Sequence, residues 1–157
     1  MDTPIGPLLI AATEAALVSV SFQAGTDSRG LGQIPQRGVG DDRPAPLEQA
    51  VLQLGDYFSG DRLEFDLPLD LIGLTDFRRD VLMRTSRIPF GATLSYGELA
   101  AAVGRPGAAR AVGTAEGSNP IAIVIPCHRV VRSDGAIGQY GGGSEAKRWL
   151  LEHEARR

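Results

Sequence analysis

The run Ile121-Ala122-Ile123-Val124-Ile125-Pro126-Cys127-His128-Arg129 constrains this chain more than any other. Its apolar, mostly β-branched opening reads as a short buried strand or extended segment. Pro126 has no amide hydrogen and a fixed φ, so it ends any ladder and presents the next side chain where the strand stops. That side chain is the only cysteine, and an imidazole follows it directly. A lone cysteine is ordinarily a small buried hydrophobe. Here a proline precedes it, and a histidine and an arginine follow. That predicts an electropositive setting in which a thiolate is stabilised at neutral pH. Cys127 is the candidate nucleophile and His128 the candidate base.

The same counts exclude several classes of chemistry. One cysteine allows neither an intramolecular disulfide framework nor a multi-cysteine zinc site, and two histidines are too few for a metal centre. No metal or cofactor is expected. No apolar run reaches the length of about eighteen residues that a membrane span needs. Met1-Asp2-Thr3-Pro4 lacks the basic and apolar regions of a secretory signal. A thiol that must stay reduced suits the cytoplasm. The net charge of −3 hides an asymmetry: residues 1–76 carry twelve acids and four bases, residues 77–157 seven acids and twelve bases. A basic half that holds the nucleophile fits a polyanionic partner.

Along the chain, Gly6–Ala12 and Ala16–Phe22 predict a β-hairpin around Thr13-Glu14-Ala15. Ala24–Pro46, rich in Gly, Pro, Asp and Arg, reads as a surface connection. Leu47, Val51, Leu54 and Phe58 share a helical face, which predicts a helix over Leu47–Phe58 stopping near Gly60. Leu63–Leu71 is strand-like, with Pro68 marking an edge or exit. The expected domain boundary lies at Gly73-Leu74, giving a fold of class α/β: a small sheet-plus-helix part over 1–73 and a mostly helical part over 74–157. In the second part, Thr75 or Asp76 caps a helix carrying Phe77, Val81, Leu82 and Thr85. Ser95 and Glu98 form a capping box that opens a helix over Tyr96–Val103. The turn Gly104-Arg105-Pro106-Gly107 leads to a second short helix, Ala108–Glu116, completing a helix-turn-helix pattern. In that second helix Ala108, Ala109, Ala111, Gly113, Thr114 and Ala115 surround one long side chain, Arg110, so its face suits close approach to another backbone. Tyr140-Gly141-Gly142-Gly143 suits close backbone approach to a ligand. Glu145–Arg157 reads as a last helix with Trp149, Leu150 and His153 toward the core.

Taken together, the C-terminal half resembles the O6-alkylguanine-DNA alkyltransferases (methylated-DNA–protein-cysteine methyltransferases). The matching text is Ser95-Tyr96-Gly97-Glu98-Leu99-Ala100, Ala108-Ala109-Arg110-Ala111-Val112-Gly113, Asn119-Pro120-Ile121 and Ile125-Pro126-Cys127-His128-Arg129-Val130. It continues with Tyr140-Gly141-Gly142-Gly143 and Lys147-Arg148-Trp149-Leu150-Leu151-Glu152-His153-Glu154. These runs stand in the family's order and spacing over Thr75–Glu154, and Thr3–Leu8 looks like the family's opening hairpin.

The resemblance implies a ribonuclease-H-like first domain and the irreversible, stoichiometric transfer of an alkyl group to Cys127. The group would come from O6-alkylguanine, and from O4-alkylthymine, in double-stranded DNA. His128 would act as base through a water, with Glu154 orienting it in the manner of a triad. Tyr96 would protonate the departing guanine. Asn119 would brace the turn before the active-site segment, and Tyr140, Gly141, Gly142 and Val130 would line the base pocket. Arg110 would enter the base stack where the damaged nucleotide leaves, on a helix set in the minor groove with Ala108, Ala109, Ala111, Gly113 and Thr114 against the backbone. Arg129 would join the DNA contacts. A monomer that binds DNA, with cooperativity along it left open, is the implied state, and no zinc is implied because the N-terminal cysteines of zinc-bearing relatives are missing here.

Three departures from the family pattern stand out. The first strand is expected to be shorter than usual and the small domain less stable. Arg78–Met83 lacks the tryptophan often found there. Glu116 puts an acid at the end of the DNA-facing helix, where a neutral residue is usual, and is expected either to weaken phosphate contacts or to mark a different lesion preference. Competing readings explain less of the chain. A non-catalytic lesion binder on this scaffold would lack the acceptor cysteine. A cysteine hydrolase or redox thiol protein explains neither Arg110 nor the helix pair. A transcriptional helix-turn-helix protein needs base-reading side chains, which the alanine-rich second helix does not offer.

Overall fold

The computed structural model describes residues 1–23 and 43–156; most of the connection expected over Ala24–Pro46 lies outside them. β1 (Leu8–Ala12) and β2 (Leu17–Phe22) form the expected antiparallel hairpin, with Ile10 opposite Val20 and a register shift between Ala11 and Ala12. Leu8, Leu17 and Val20 are buried and Leu9 is exposed; Leu17 and Val20, three apart, depart from strict alternation next to the register shift. The far edge of β2 is also paired. Leu17 bridges Leu69, and Val20 bridges Ile121, its amide donating to Pro120 O at 2.9 Å while Ala122 N–H donates to Val20 O at 3.0 Å. The strand expected over Leu63–Leu71 is therefore only a bridge at Leu69, because neighbouring Pro68 has no amide to extend it.

α1 (Ala45–Ser59) starts earlier than its apolar face suggests, with prolines at its N-terminal end, where the missing N–H costs nothing. It closes at Gly60 with φ 83°, a left-handed cap that glycine adopts without strain. Its buried stripe is Pro46, Ala50, Leu54 and Tyr57, one position round from the expected face. Val51 and Phe58 flank that stripe and are only partly buried.

α2 (Asp76–Thr85) is capped by Thr75, whose hydroxyl accepts from Arg78 N–H. β3 (Leu94–Ser95) leads straight into α3 (Tyr96–Ala102), where the capping box forms in full: Ser95 Oγ accepts from Glu98 N–H at 3.1 Å and Ser95 N–H donates to Glu98 Oε2 at 2.7 Å. α4 (Ala109–Gly117) follows a turn in which Gly104 and Gly107 have φ of 73° and 87°. A 3-10 turn holds Cys127–Arg129, β4 (Val130–Val131) pairs in parallel with β3, and α5 (Gly143–Ala155) closes the chain.

The run before Pro126 is not a strand. Ile121 and Ala122 make single bridges, after which the chain folds on itself: Ile125 N–H donates to Ile121 O at 3.0 Å and Cys127 N–H to Ile125 O at 2.8 Å. Ile123 sits at φ 73°, a left-handed conformation that a β-branched residue adopts only when its surroundings impose it. Asn119 supplies part of that constraint, spanning the loop from Ile121 N–H (3.0 Å) to Ile125 O (2.9 Å).

One core joins the two halves of the chain. Leu8, Leu17, Val20, Leu54 and Tyr57 pack with Leu82, Ile121, Ile123, Ile125 and Leu150. A second cluster, Val81, Ile88, Leu99, Ala100, Val112, Ala115 and Val130, lies beneath the helix pair. Leu54→Ala is expected to lower unfolding free energy by about 2–5 kcal/mol. Leu52→Ala, on the same helix but 67% exposed, is expected to stay within about 0.5 kcal/mol. Urea titration of both variants checks the pair.

Candidate active site and DNA-facing helix

Glu154 is the most heavily bonded side chain of the site. Its Oε1 accepts from Tyr57 Oη at 2.8 Å, from His128 Nε2 at 2.8 Å and from Arg129 Nη2 at 2.9 Å. Its Oε2 accepts from Arg129 Nε at 2.8 Å and from Gly91 N–H at 3.1 Å. Burial alone would raise this carboxyl, but His128 and Arg129 together hold it well below the usual carboxylate range. Arg129 is buried, and its remaining donor Nη1 bonds Ile88 O at 2.6 Å. The sequence placed Arg129 among the DNA contacts. Its guanidinium is instead consumed inside the protein, clamping Glu154 by a bidentate fork.

That clamp sets the state of His128. Burial pulls the imidazole below its ordinary value, against the opposing pull of Glu154, so the resting ring is neutral. An ionised Glu154 accepts only from an N–H, so the proton sits on Nε2 and Nδ1 carries the basic lone pair. Nδ1 is buried and has no hydrogen-bond partner among the described residues.

Cys127 departs from expectation in its electrostatics. It is buried, and burial, followed by the charge of Glu116, pushes the thiol up to about 12; Asn119 and Lys147 oppose this by less. Burial and Glu116 thus outweigh the expected electropositive environment, to which Arg129, paired with Glu154, does not contribute. The resting group is a thiol.

Lys147 was not anticipated as a site residue. Fully buried, it donates from Nζ to Val130 O at 2.6 Å and lies 5.9 Å from the centre of the Tyr96 ring. Tyr96 is half-buried, with Gly113 beneath its ring and Gly138 beside its hydroxyl. A Cβ on Gly138 would lie 3.2 Å from Tyr96 Oη. Burial and then the charges of Glu116 and Cys127 keep Tyr96 protonated. Tyr140 places its ring 6.4 Å from that of His128 and packs edge-on to Phe22, and its buried hydroxyl has no partner among the described residues. Gly141 is exposed. Gly142 allows a close approach, though to Phe22 rather than to open pocket: a Cβ there would come within 2.6 Å of that ring. Val130 is buried in β4.

α4 keeps Val112, Ala115 and Glu116 inward and exposes Arg110, Ala111 and Thr114, with Ala108, Ala109 and Gly113 half-buried beside them. Arg110 makes no ion pair among the described residues and projects from a surface otherwise built of small side chains. Glu116, expected to face phosphates, is buried against Thr85.

Nothing in the sequence marks Tyr57 as a site residue, because an aromatic residue on a helix reads as core. Only its contact with Glu154, 97 residues away, makes it part of the site. Glu154→Gln is expected to cost about 3–5 kcal/mol, since it leaves Arg129 buried without its anion; Tyr57→Phe is expected to cost about 1 kcal/mol. In the unfolded chain this carboxyl titrates near 4.5, and in the fold lower. The stability it contributes is complete above that value and lost as pH falls toward the folded value. Denaturant midpoints taken against pH are expected to show this acid limb in the wild type and not in Glu154→Gln.

The comparisons with known proteins agree with this geometry. The family model for the 6-O-methylguanine DNA methyltransferase DNA binding domain matches residues 76–156, and that for the ribonuclease-like domain matches residues 1–71. A methylated-DNA–protein-cysteine methyltransferase of Mycobacterium tuberculosis is 46% identical over 157 residues, spanning 100% of this chain and 91% of the relative. The Salmonella typhimurium protein of that name is 42% identical over 156 residues, 97% of this chain and 91% of its own. Mycobacterium tuberculosis OGT, crystallised in complex with DNA, superposes with a TM-score of 0.85 at 45% identity, covering 99% of this chain and 91% of that one. A helix-turn-helix with one projecting arginine, a cysteine beside a carboxylate-held histidine and full-length similarity to these proteins lead to one assignment: the chain belongs to the 6-O-methylguanine DNA methyltransferase family, whose members repair DNA by methyl transfer to a protein cysteine.

Proposed function

We propose that this chain repairs O6-alkylguanine, and O4-alkylthymine, in double-stranded DNA by a single irreversible transfer of the alkyl group to Cys127. The observation that carries this reading is the chain's one thiol, buried next in sequence to a neutral histidine whose Nε2–H is fixed on Glu154. The protein works as a monomer in the cytoplasm, with 74–157 binding DNA and 1–73 supporting it through the shared core.

α4 enters the minor groove, its small residues allowing close approach to the backbone, and Arg110 fills the place of the extruded nucleotide. The flipped base lies against Tyr140 and the exposed backbone of Gly141. The thiol proton passes by way of a water to His128 Nδ1, and Glu154 stabilises the imidazolium that results. The sulfur lone pair forms the S–C bond as the C–O bond breaks, and the electron pair left on guanine takes a proton from Tyr96. The imidazolium proton then returns to the Tyr96 phenolate, so no net proton is gained or lost. A thioether has no return path to thiol, and each molecule acts once.

Incubation with a duplex carrying one O6-methylguanine, followed by intact mass and peptide mapping, is expected to show one added methyl group on Cys127, stoichiometric with repaired DNA. Lesion-selective binding without mass gain would mean recognition without transfer. Cys127→Ser is expected to keep lesion binding and lose transfer. Arg110→Ala is expected to slow repair of the duplex by about tenfold or more, equivalent to about 1.4 kcal/mol of lost flipping free energy. It should leave reaction with free O6-methylguanine unchanged; equal losses on both substrates would contradict the role given to Arg110.

A further inference from the structure

Thr85 on α2 and Glu116 on α4 meet on the inner side of the helix pair, where the available protons decide the state of the acid. Thr85 Oγ1 lies 2.9 Å from Val81 O and in a short contact with Glu116 Oε1. A hydroxyl has one hydrogen, and here it faces two acceptors. Glu116 is 6% exposed, and its Oε2 is buried with no hydrogen-bond partner among the described residues. An ionised carboxylate would leave that oxygen bare in a dry environment, a heavily disfavoured arrangement. A protonated one resolves the first conflict and eases the second: its O–H donates to Thr85 Oγ1, whose own hydrogen goes to Val81 O, and the unpartnered Oε2 is then a neutral carbonyl oxygen rather than a charged one.

The titratable groups coupled to Glu116 are Tyr96 on α3, Cys127 in the 3-10 turn and Lys147 on α5. Lys147 attracts the charged form but directs a hydrogen bond to Val130 O instead.

We propose that Glu116 is a positioning residue for alkyl transfer: protonated against Thr85, it keeps negative charge away from Cys127 and Tyr96, and its ionisation slows the reaction. The proposal rests on the roles of Cys127 as acceptor and Tyr96 as proton donor. The sign follows from the coupling. A charged Glu116 raises the Cys127 thiol, leaving less thiolate, and raises Tyr96, making it a poorer donor. Burial pushes the Glu116 carboxyl up to about 7, which puts the change within the physiological range. Where other family members carry a neutral residue at this position, they lack this brake.

The test is the pH profile of Cys127 methylation by an O6-methylguanine duplex for wild type and Glu116→Gln, whose amide retains a donor for Thr85. The rate ratio of variant to wild type is expected to be near one at about pH 5.5 and to rise to about three- to tenfold at about pH 8.5, the latter matching a one-unit change in Cys127 ionisation. A ratio that does not change with pH overturns the proposal. The same profile taken with iodoacetamide on Cys127 needs no DNA. If neither protein accepts methyl from the duplex, the proposed function fails while this second profile still decides the role of Glu116. Carboxyl-13C NMR of the wild type covers the case of a variant that does not fold. Titration of Glu116 near neutrality supports the proposal, and titration in the ordinary carboxylate range overturns it.

Discussion

One carboxylate organises this molecule. Five hydrogen bonds converge on Glu154 from α1, the loop before β3 and the 3-10 turn, while Glu154 itself rides on α5. Each donor fixes something different. Arg129 provides the countercharge that lets a buried carboxylate stay ionised. Gly91 N–H fixes the approach to β3, where a Cβ on Gly91 would press within 3.3 Å of Glu154 O. Tyr57 brings the N-terminal half into the site. His128 receives the product of all this, a ring in one tautomer with its basic nitrogen left over. Folding and chemistry thus depend on the same bonds, and damage to the small domain reaches the nucleophile through Tyr57.

The thiol works against its surroundings. Burial pushes Cys127 up to about 12, so free thiolate is scarce at rest and the group is shielded from stray electrophiles and oxidants. For the single-use acceptor proposed above, such reserve matters more than speed. In the proposed reaction, reactivity arises when the substrate is in place and His128 takes the proton. Lys147, buried beneath Tyr96 and bonded to Val130 O, supplies the positive charge that favours the sulfur anion as it forms.

Much of this was legible in the sequence, and the reasons for the rest are physical. The hairpin, the capping box at Ser95 and Glu98 and the helix pair follow from local rules of alternation and capping. Cys127, His128 and Arg110 carry chemistry that their immediate neighbours announce, and the C-terminal similarity added Asn119, Glu154 and Tyr96. What failed depends on contacts distant in sequence. Arg129 looked like a DNA contact because an arginine is usually exposed, until Glu154 and Ile88 O claim its donors. Glu116 reads as DNA-facing because nothing nearby in sequence shows Thr85 waiting on another helix. The apolar run Ile121–Ile125 has strand composition, but Asn119 holds it in a loop with Ile123 left-handed. The α1 face was off by one position because Tyr57 buries itself for a polar bond, which an apolar stripe does not register.

Proton removal from Cys127 depends, in the proposed reaction, on the tautomer that Glu154 imposes on His128, and 15N NMR of the imidazole in the resting protein at neutral pH reads it directly. A neutral ring protonated on Nε2, with the Nδ1 resonance at a pyridine-like position, is the expected result. A doubly protonated ring, or one carrying its hydrogen on Nδ1, would contradict it, since neither leaves a base for the Cys127 proton.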